Sequence, residues 1–128
     1  MKRKHVSSGT QWENFVGYSR ALKVGNIIEV AGTTAVDGNE IVGVNDAYAQ
    51  TVFIIKKMQK ALQELDADLQ DVIRTRIYVT DISGWEEIGR AHGAFFGDIK
   101  PVSTMIEVSA LVSPEMLVEI EMTAIVEG

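Results

Sequence analysis

The acid best placed to do chemistry is Glu119, which stands inside the mainly apolar run Met116 to Ile125 with Glu121 as the second acid on its face. A carboxylate in such surroundings has two uses. It pairs with an arginine as a structural element, or it lines a cleft and takes a proton from water as a general base. The residues alone leave both open. Histidine occurs only twice. His92 falls between Ile88 and Phe95 on an apolar helical stripe, which suits a packed, hydrogen-bonded core residue better than a catalytic one. His5 lies near the N-terminus, in a segment expected to be mobile.

Other chemistries lack their residues. The chain has no cysteine, which excludes a disulfide framework, thiolate zinc sites and a cysteine nucleophile. No paired-histidine or dense acidic calcium pattern occurs, so neither a metal nor a cofactor is expected. Gly17, Gly25 and Gly32 are too far apart for a phosphate-cradling loop. The first two suit turns. Gly32, in Val30-Ala31-Gly32-Thr33, is mid-strand, where glycine weakens pairing unless a ligand or another backbone comes close. Trp12, Trp85 and Phe95-Phe96 fit the core.

The net charge of -6, with no basic run beyond Lys2-Arg3-Lys4, argues against a phosphate-tracking surface, so nucleic acid is not an expected partner. No apolar run approaches the ~20 residues of a membrane span, and the polar stretch Val6 to Glu13 does not continue the basic start as a signal peptide would. A cytoplasmic protein is expected. At 128 residues the chain fits a single domain, 1–128, with one core.

The elements that must position Glu119 follow from periodicity. Arg20 to Val24, a Gly25-Asn26 turn and Ile27 to Ala35 predict a first hairpin, and Asp37-Gly38-Asn39 turns the chain into a short Ile41-Val42 strand. Val52, Ile55, Met58, Leu62 and Leu65 recur at helical spacing from Asp46 to Asp66, with Asn45 or Asp46 as N-cap. Between Asp71 and Thr80 strict alternation predicts a strand, with Ile73, Thr75, Ile77 and Val79 on one face. Ser83 and Glu86 are spaced as a capping box for a second helix through Phe96. Thr104 to Leu111 and Met116 to Val126 predict two final strands.

This order predicts an α+β fold, one sheet of about six strands with both helices on a single face. Val118, Ile120, Met122 and Ala124 belong under the helices. The other face would carry Glu119 and Glu121, Arg74 and Arg76, Glu29 and Thr33, Met105 and Glu107. That mixture suits a solvated surface or a subunit interface, and the apolar character of the last two strands favours the interface.

Several segments together resemble the Rid family, the YjgF-like reactive-intermediate deaminases also known as endoribonuclease L-PSP. They are Val16-Gly17-Tyr18-Ser19-Arg20-Ala21 with Val24-Gly25-Asn26, Val30-Ala31-Gly32-Thr33, Tyr78-Val79-Thr80-Asp81 and Phe95-Phe96. The most specific is Pro101-Val102-Ser103-Thr104-Met105-Ile106-Glu107-Val108 leading to Val118-Glu119-Ile120-Glu121. The likeness runs from about Gly17 to Val126. It implies a chorismate-mutase-like fold and a homotrimer with three ligand clefts between subunits. It also implies substrate-binding positions at Tyr18, Gly32, Ser103, Thr104 and Met105, and a water-positioning role for Glu119. The chain departs from the family at the arginine two residues after the signature proline, which grips the substrate carboxylate and is Ser103 here. Ala31 replaces a serine, Gly89 an asparagine, and the loop before Glu119 is one residue longer.

Two functions are therefore expected to compete. One is a hydrolase or deaminase acting on a small imine, enamine or related carbonyl metabolite in the inter-subunit cleft, but not a standard 2-imino acid deaminase. The other is a non-catalytic metabolite-binding or interaction protein on the same scaffold. Arg20, Arg74 or Arg76 could replace the missing charge. Ribonuclease activity, attached to some relatives, is disfavoured by the acidic charge and the lack of a histidine pair.

Overall fold

The computed structural model describes residues 1–127. Its main sheet has six strands in the order β1-β2-β3-β8-β6-β7, where β1 is Arg3–Val6, β2 Ala21–Val24, β3 Ile27–Thr33, β6 Val72–Val79, β7 Val102–Glu107 and β8 Val118–Ile125. A small ribbon of β4 (Val36–Asp37) and β5 (Glu40–Ile41) stands beside it. All sheet pairings are antiparallel except β6 with β7, where α3 (Trp85–Phe96) makes the crossover that parallel strands require. The α+β arrangement of one six-stranded sheet with two main helices agrees with expectation.

The core lies between the sheet and α2 (Ala47–Gln63) with α3. Asp46 caps α2 by accepting the Ala49 amide at 2.9 Å, satisfying one of the free donors of the first turn. Its buried stripe is Thr51, Ile54, Ile55, Met58, Ala61 and Leu62, so the expected Val52 falls on the flank. Beneath it lie Ile28, Val30, Val118, Ile120, Met122 and Ala124, the apolar set of the two central strands.

Several expectations need correction. The hairpin is not the first element: β1 pairs with β2, and a short helix α1 (Gln11–Val16) follows it. His5 accordingly lies in a strand, with its Nδ1 at 2.7 Å from Ser19 Oγ. No Ser83 and Glu86 capping box forms. Asp81 accepts from the Ser83 amide and hydroxyl instead, capping the 3-10 turn that leads into α3. In β6 the register shifts between Val72 and Arg74, so Val72 takes the core side and Ile73 is exposed. Met105 also changes sides. It aligns with core residue Ile77 and packs against the core, leaving Thr104 and Ile106 on the open face beside Arg76 and Tyr78. Thr33 is likewise buried, because the β3–β8 register shifts between Val30 and Thr33.

Candidate functional site

Glu119 projects from the middle of the sheet. Its neighbours Val118 and Ile120 are fully buried under the helices, so alternation turns Glu119 to the open face, level with Tyr78 of β6. Its carboxylate rests on Gly32: a Cβ at that position would overlap Glu119 Oε2 and come within 3.1 Å of its Cδ. This is the close approach that a mid-strand glycine implies, and it coincides with the irregular register of β3. Burial pushes the Glu119 carboxyl above the usual carboxylate range. The charge of Arg20 pulls it back and that of Glu121 adds to the rise.

The arginine pairing that competed for Glu119 goes to its neighbour. Arg76 Nη1 is 3.6 Å from Glu121 Oε1, and the Tyr78 hydroxyl donates to the same oxygen at 2.9 Å. That hydrogen bond, followed by burial, raises the Tyr78 phenol. Among the described residues Glu119 has no hydrogen-bond partner, so its lone pairs are available to water or a ligand. Arg20 completes the cluster. It is 7% exposed, donates from Nη2 to the Gly32 carbonyl, and lies with its guanidinium carbon 5.6 Å from the Tyr18 ring centre. Thus Tyr18, Arg20, Gly32 and Glu119 come together within one chain. Arg76 is engaged by Glu121, whereas among the described residues Arg74 makes no side-chain hydrogen bond or ion pair.

Ser103 lies elsewhere. It aligns with Thr75 in the parallel β6–β7 pair, and the Thr75 hydroxyl donates to Ser103 Oγ at 2.7 Å. Thr75 is fully buried and also lies 2.9 Å from His92 Nε2, forming a chain from α3 through β6 to β7. His92 packs on the Phe96 ring, and burial holds its imidazole below the usual histidine range, in its neutral form. Next to it on α3, Gly89 leaves open space: a Cβ there meets nothing within 4 Å. His92 is thus the packed, hydrogen-bonded residue expected from its stripe. Thr75 was missed, although a polar residue on the apolar face of a strand was a legible signal.

Within one chain these groups form two separate half-sites. Glu119 lies level with Tyr78 and Ser103 level with Thr75, so they are separated by two strand spacings, roughly 10 Å, and three residues along the strands, roughly another 10 Å. They also face opposite sides of the sheet, with Thr104 on the Glu119 side and Met105 on the Ser103 side.

Comparison with known proteins gives a consistent picture. The family model described as Endoribonuclease L-PSP matches residues 10–126. A solved structure of a member of the highly conserved YjgF/YER057c/UK114 family from Mycobacterium tuberculosis is 48% identical, covers 98% of this chain and 100% of its own, and superposes with a TM-score of 0.90. A RutC family protein of Pyrococcus abyssi is 36% identical over 109 residues, 84% of each chain. The 3-aminoacrylate deaminase RutC of Acinetobacter baylyi is 31% identical over 108 residues, covering 84% of this chain and 85% of its own.

Proposed function

Since the chain belongs to the Rid/YjgF family of the Endoribonuclease L-PSP type, we propose that it hydrolyses a small imine, enamine or related carbonyl metabolite in a cleft between subunits of a homotrimer. The observation that carries this reading is the half-buried, unpaired Glu119 carboxylate held over Gly32 beside Arg20. The deaminase name of the Acinetobacter relative supports the reaction class.

In the proposed step Glu119 takes a proton from water as the oxygen adds to the imine carbon. That proton is returned to nitrogen to give a carbinolamine, whose hydroxyl proton then passes by way of Glu119 to the amine as the C–N bond breaks, so that ammonia leaves a carbonyl product. Arg20 helps to keep Glu119 ionised, opposing burial. The half-sites account for the trimer in this reading: a ligand touching both Glu119 and Ser103 needs them from different copies.

Ser103 sets the substrate preference. A guanidinium holds a carboxylate through two charged hydrogen bonds of ~1.5 to 3 kcal/mol each, whereas a hydroxyl offers one neutral bond of ~1 kcal/mol. Arg20 and Arg76 are already engaged, by the Gly32 carbonyl and Glu121. We therefore expect poor turnover of 2-aminoacrylate and better turnover of a neutral enamine. The test is ammonia release from both, with wild type and Ser103→Arg. Gain of 2-aminoacrylate activity in the variant alone supports the reading. Robust wild-type activity overturns the preference, and no turnover of any imine or enamine favours the non-catalytic binding protein.

A further inference from the structure

On the helical side of the sheet a second cavity, of about 800 Å3, opens between the segment joining β1 to α1, the β4–β5 turn and one flank of α2. Four cations line it, Arg20, Lys56, Lys57 and Lys60, against two acids, Asp37 and Glu64. In a chain of net charge -6 this excess is unusual. None of its cations is in direct ion-pair contact, since among the described residues the one ion pair is Arg76 with Glu121, on the opposite face.

Two of the cations are held, while Lys56 and Lys60 stay exposed at the mouth. Lys57 Nζ donates to the Val36 carbonyl at 2.9 Å, and burial together with the nearby Arg20 charge keeps its ammonium below the usual lysine range. Arg20 is almost completely buried, and its Nε has no hydrogen-bond partner. Lys57 feels the charges of Asp37 and Glu13 and Arg20 that of Glu119, yet the lining still carries two more cations than acids, an excess that an anion entering the cavity would offset. The rim is firm where it needs to be. Glu13, 4% exposed, accepts from Ser8 and Thr10 and so fastens the β1–α1 segment, while its charge reaches Lys57 only through space. On the wall, Trp12 is 44% exposed, and Phe53 lines the same space.

We propose that this cavity is a second binding site, taking a small organic anion, phosphorylated or carboxylated, that carries a planar ring. The lysines recognise the charge, with Arg20 behind them adding only to the positive field, and Trp12 stacks on the ring. The volume is within the ~300 to 1,000 Å3 usual for metabolite sites.

The test is calorimetric titration at low ionic strength, with tryptophan fluorescence in parallel, using adenosine monophosphate, benzoate and inorganic phosphate as probes. We expect one ringed anion bound per chain, quenching of Trp12, and at least about a ten-fold loss of affinity in the Lys56→Glu/Lys60→Glu variant, from loss of charge-assisted contacts. Both lysines are exposed, so thermal stability should be unchanged. Trp12→Ala should weaken the ringed probes and leave phosphate unaffected. Adenosine monophosphate binding without benzoate would identify phosphate as the anion, and the reverse a carboxylate. Affinities weaker than about 1 mM for all three probes, or full affinity in the lysine variant, would overturn the site.

Discussion

The ionisation of Glu119 ties stability to activity in a way that can be measured. Its folded pKa is raised, chiefly by burial. The folded state therefore holds this proton at pH values where the unfolded chain has released it, and stability falls as pH rises from the unfolded value to the folded one. Glu119→Gln should then raise Tm at neutral pH, by about 2 °C, and make no difference well below pH 4.5, the ordinary value. In the same variant turnover should fall ~10² to 10⁴-fold, the usual general-base contribution. Thermal melts at two pH values and initial rates check both. A less stable variant, or one retaining full turnover, would show that Glu119 is a structural carboxylate. Gly32→Ala probes the same contact from the other side. The added methyl would displace the end of the Glu119 side chain, so activity should drop at least about ten-fold while melting changes little, because a flexible side chain is the part that yields.

At the level of elements, one buried amide ties the start of α2 to the entry of β8. Gln50 is fully buried on α2, donates from Nε2 to the carbonyls of Gly43 and Glu115, and accepts the Leu117 amide at 2.9 Å. It thereby fixes the end of the loop that leads into Glu119. Replacing it by Leu would strand three backbone groups, each costing roughly 1 to 3 kcal/mol when left unsatisfied inside the fold. Gln50→Leu should lower unfolding free energy by at least about 3 kcal/mol in urea, and a change below about 0.5 kcal/mol would mean that water replaces the amide. Helix positions were legible in the sequence because apolar spacing reports them directly, as at Ile55, Met58 and Leu62. Strand faces were less so. A single shifted residue near Ile73 reverses which side chains meet the core, and nothing in strict alternation announces a bulge.

For the molecule as a whole, the open face of the sheet is the informative surface. Ile27 and Ile125 are cross-strand partners, 47% and 41% exposed, and Ile73 and Ile106 add to the same apolar content. Around them lie the Arg76 and Glu121 pair and Glu29, which accepts from Thr123. Such a surface is better suited to contact than to water. Light scattering after size exclusion should give about three times the 14.1 kDa chain mass. Ile125→Glu should shift the population toward monomer, since it sets a new charge inside the buried contact. A monomeric wild type at micromolar concentration would leave the face solvated and Glu119 without the Ser103 half-site. None of the helices is long and apolar enough to cross a membrane, among the described residues.

What the amino-acid order determined by itself was the local part: where the two main helices and the central strands run, which strand carries Glu119, and the motif from Pro101 to Glu121 that points to the family. These depend on spacing and on side chains a few residues apart. Only the tertiary structure decided what each chemical group touches. It gave Arg76 to Glu121 rather than to Glu119, laid Glu119 on Gly32 beside Arg20, joined Ser103 to His92 through Thr75, and placed Met105 on the core side. Each of these joins residues from different elements, brought together by strand order, register and bulges. A carboxylate's protonation and partners follow from that assembled surrounding, because burial and neighbouring charge act through space and not along the chain.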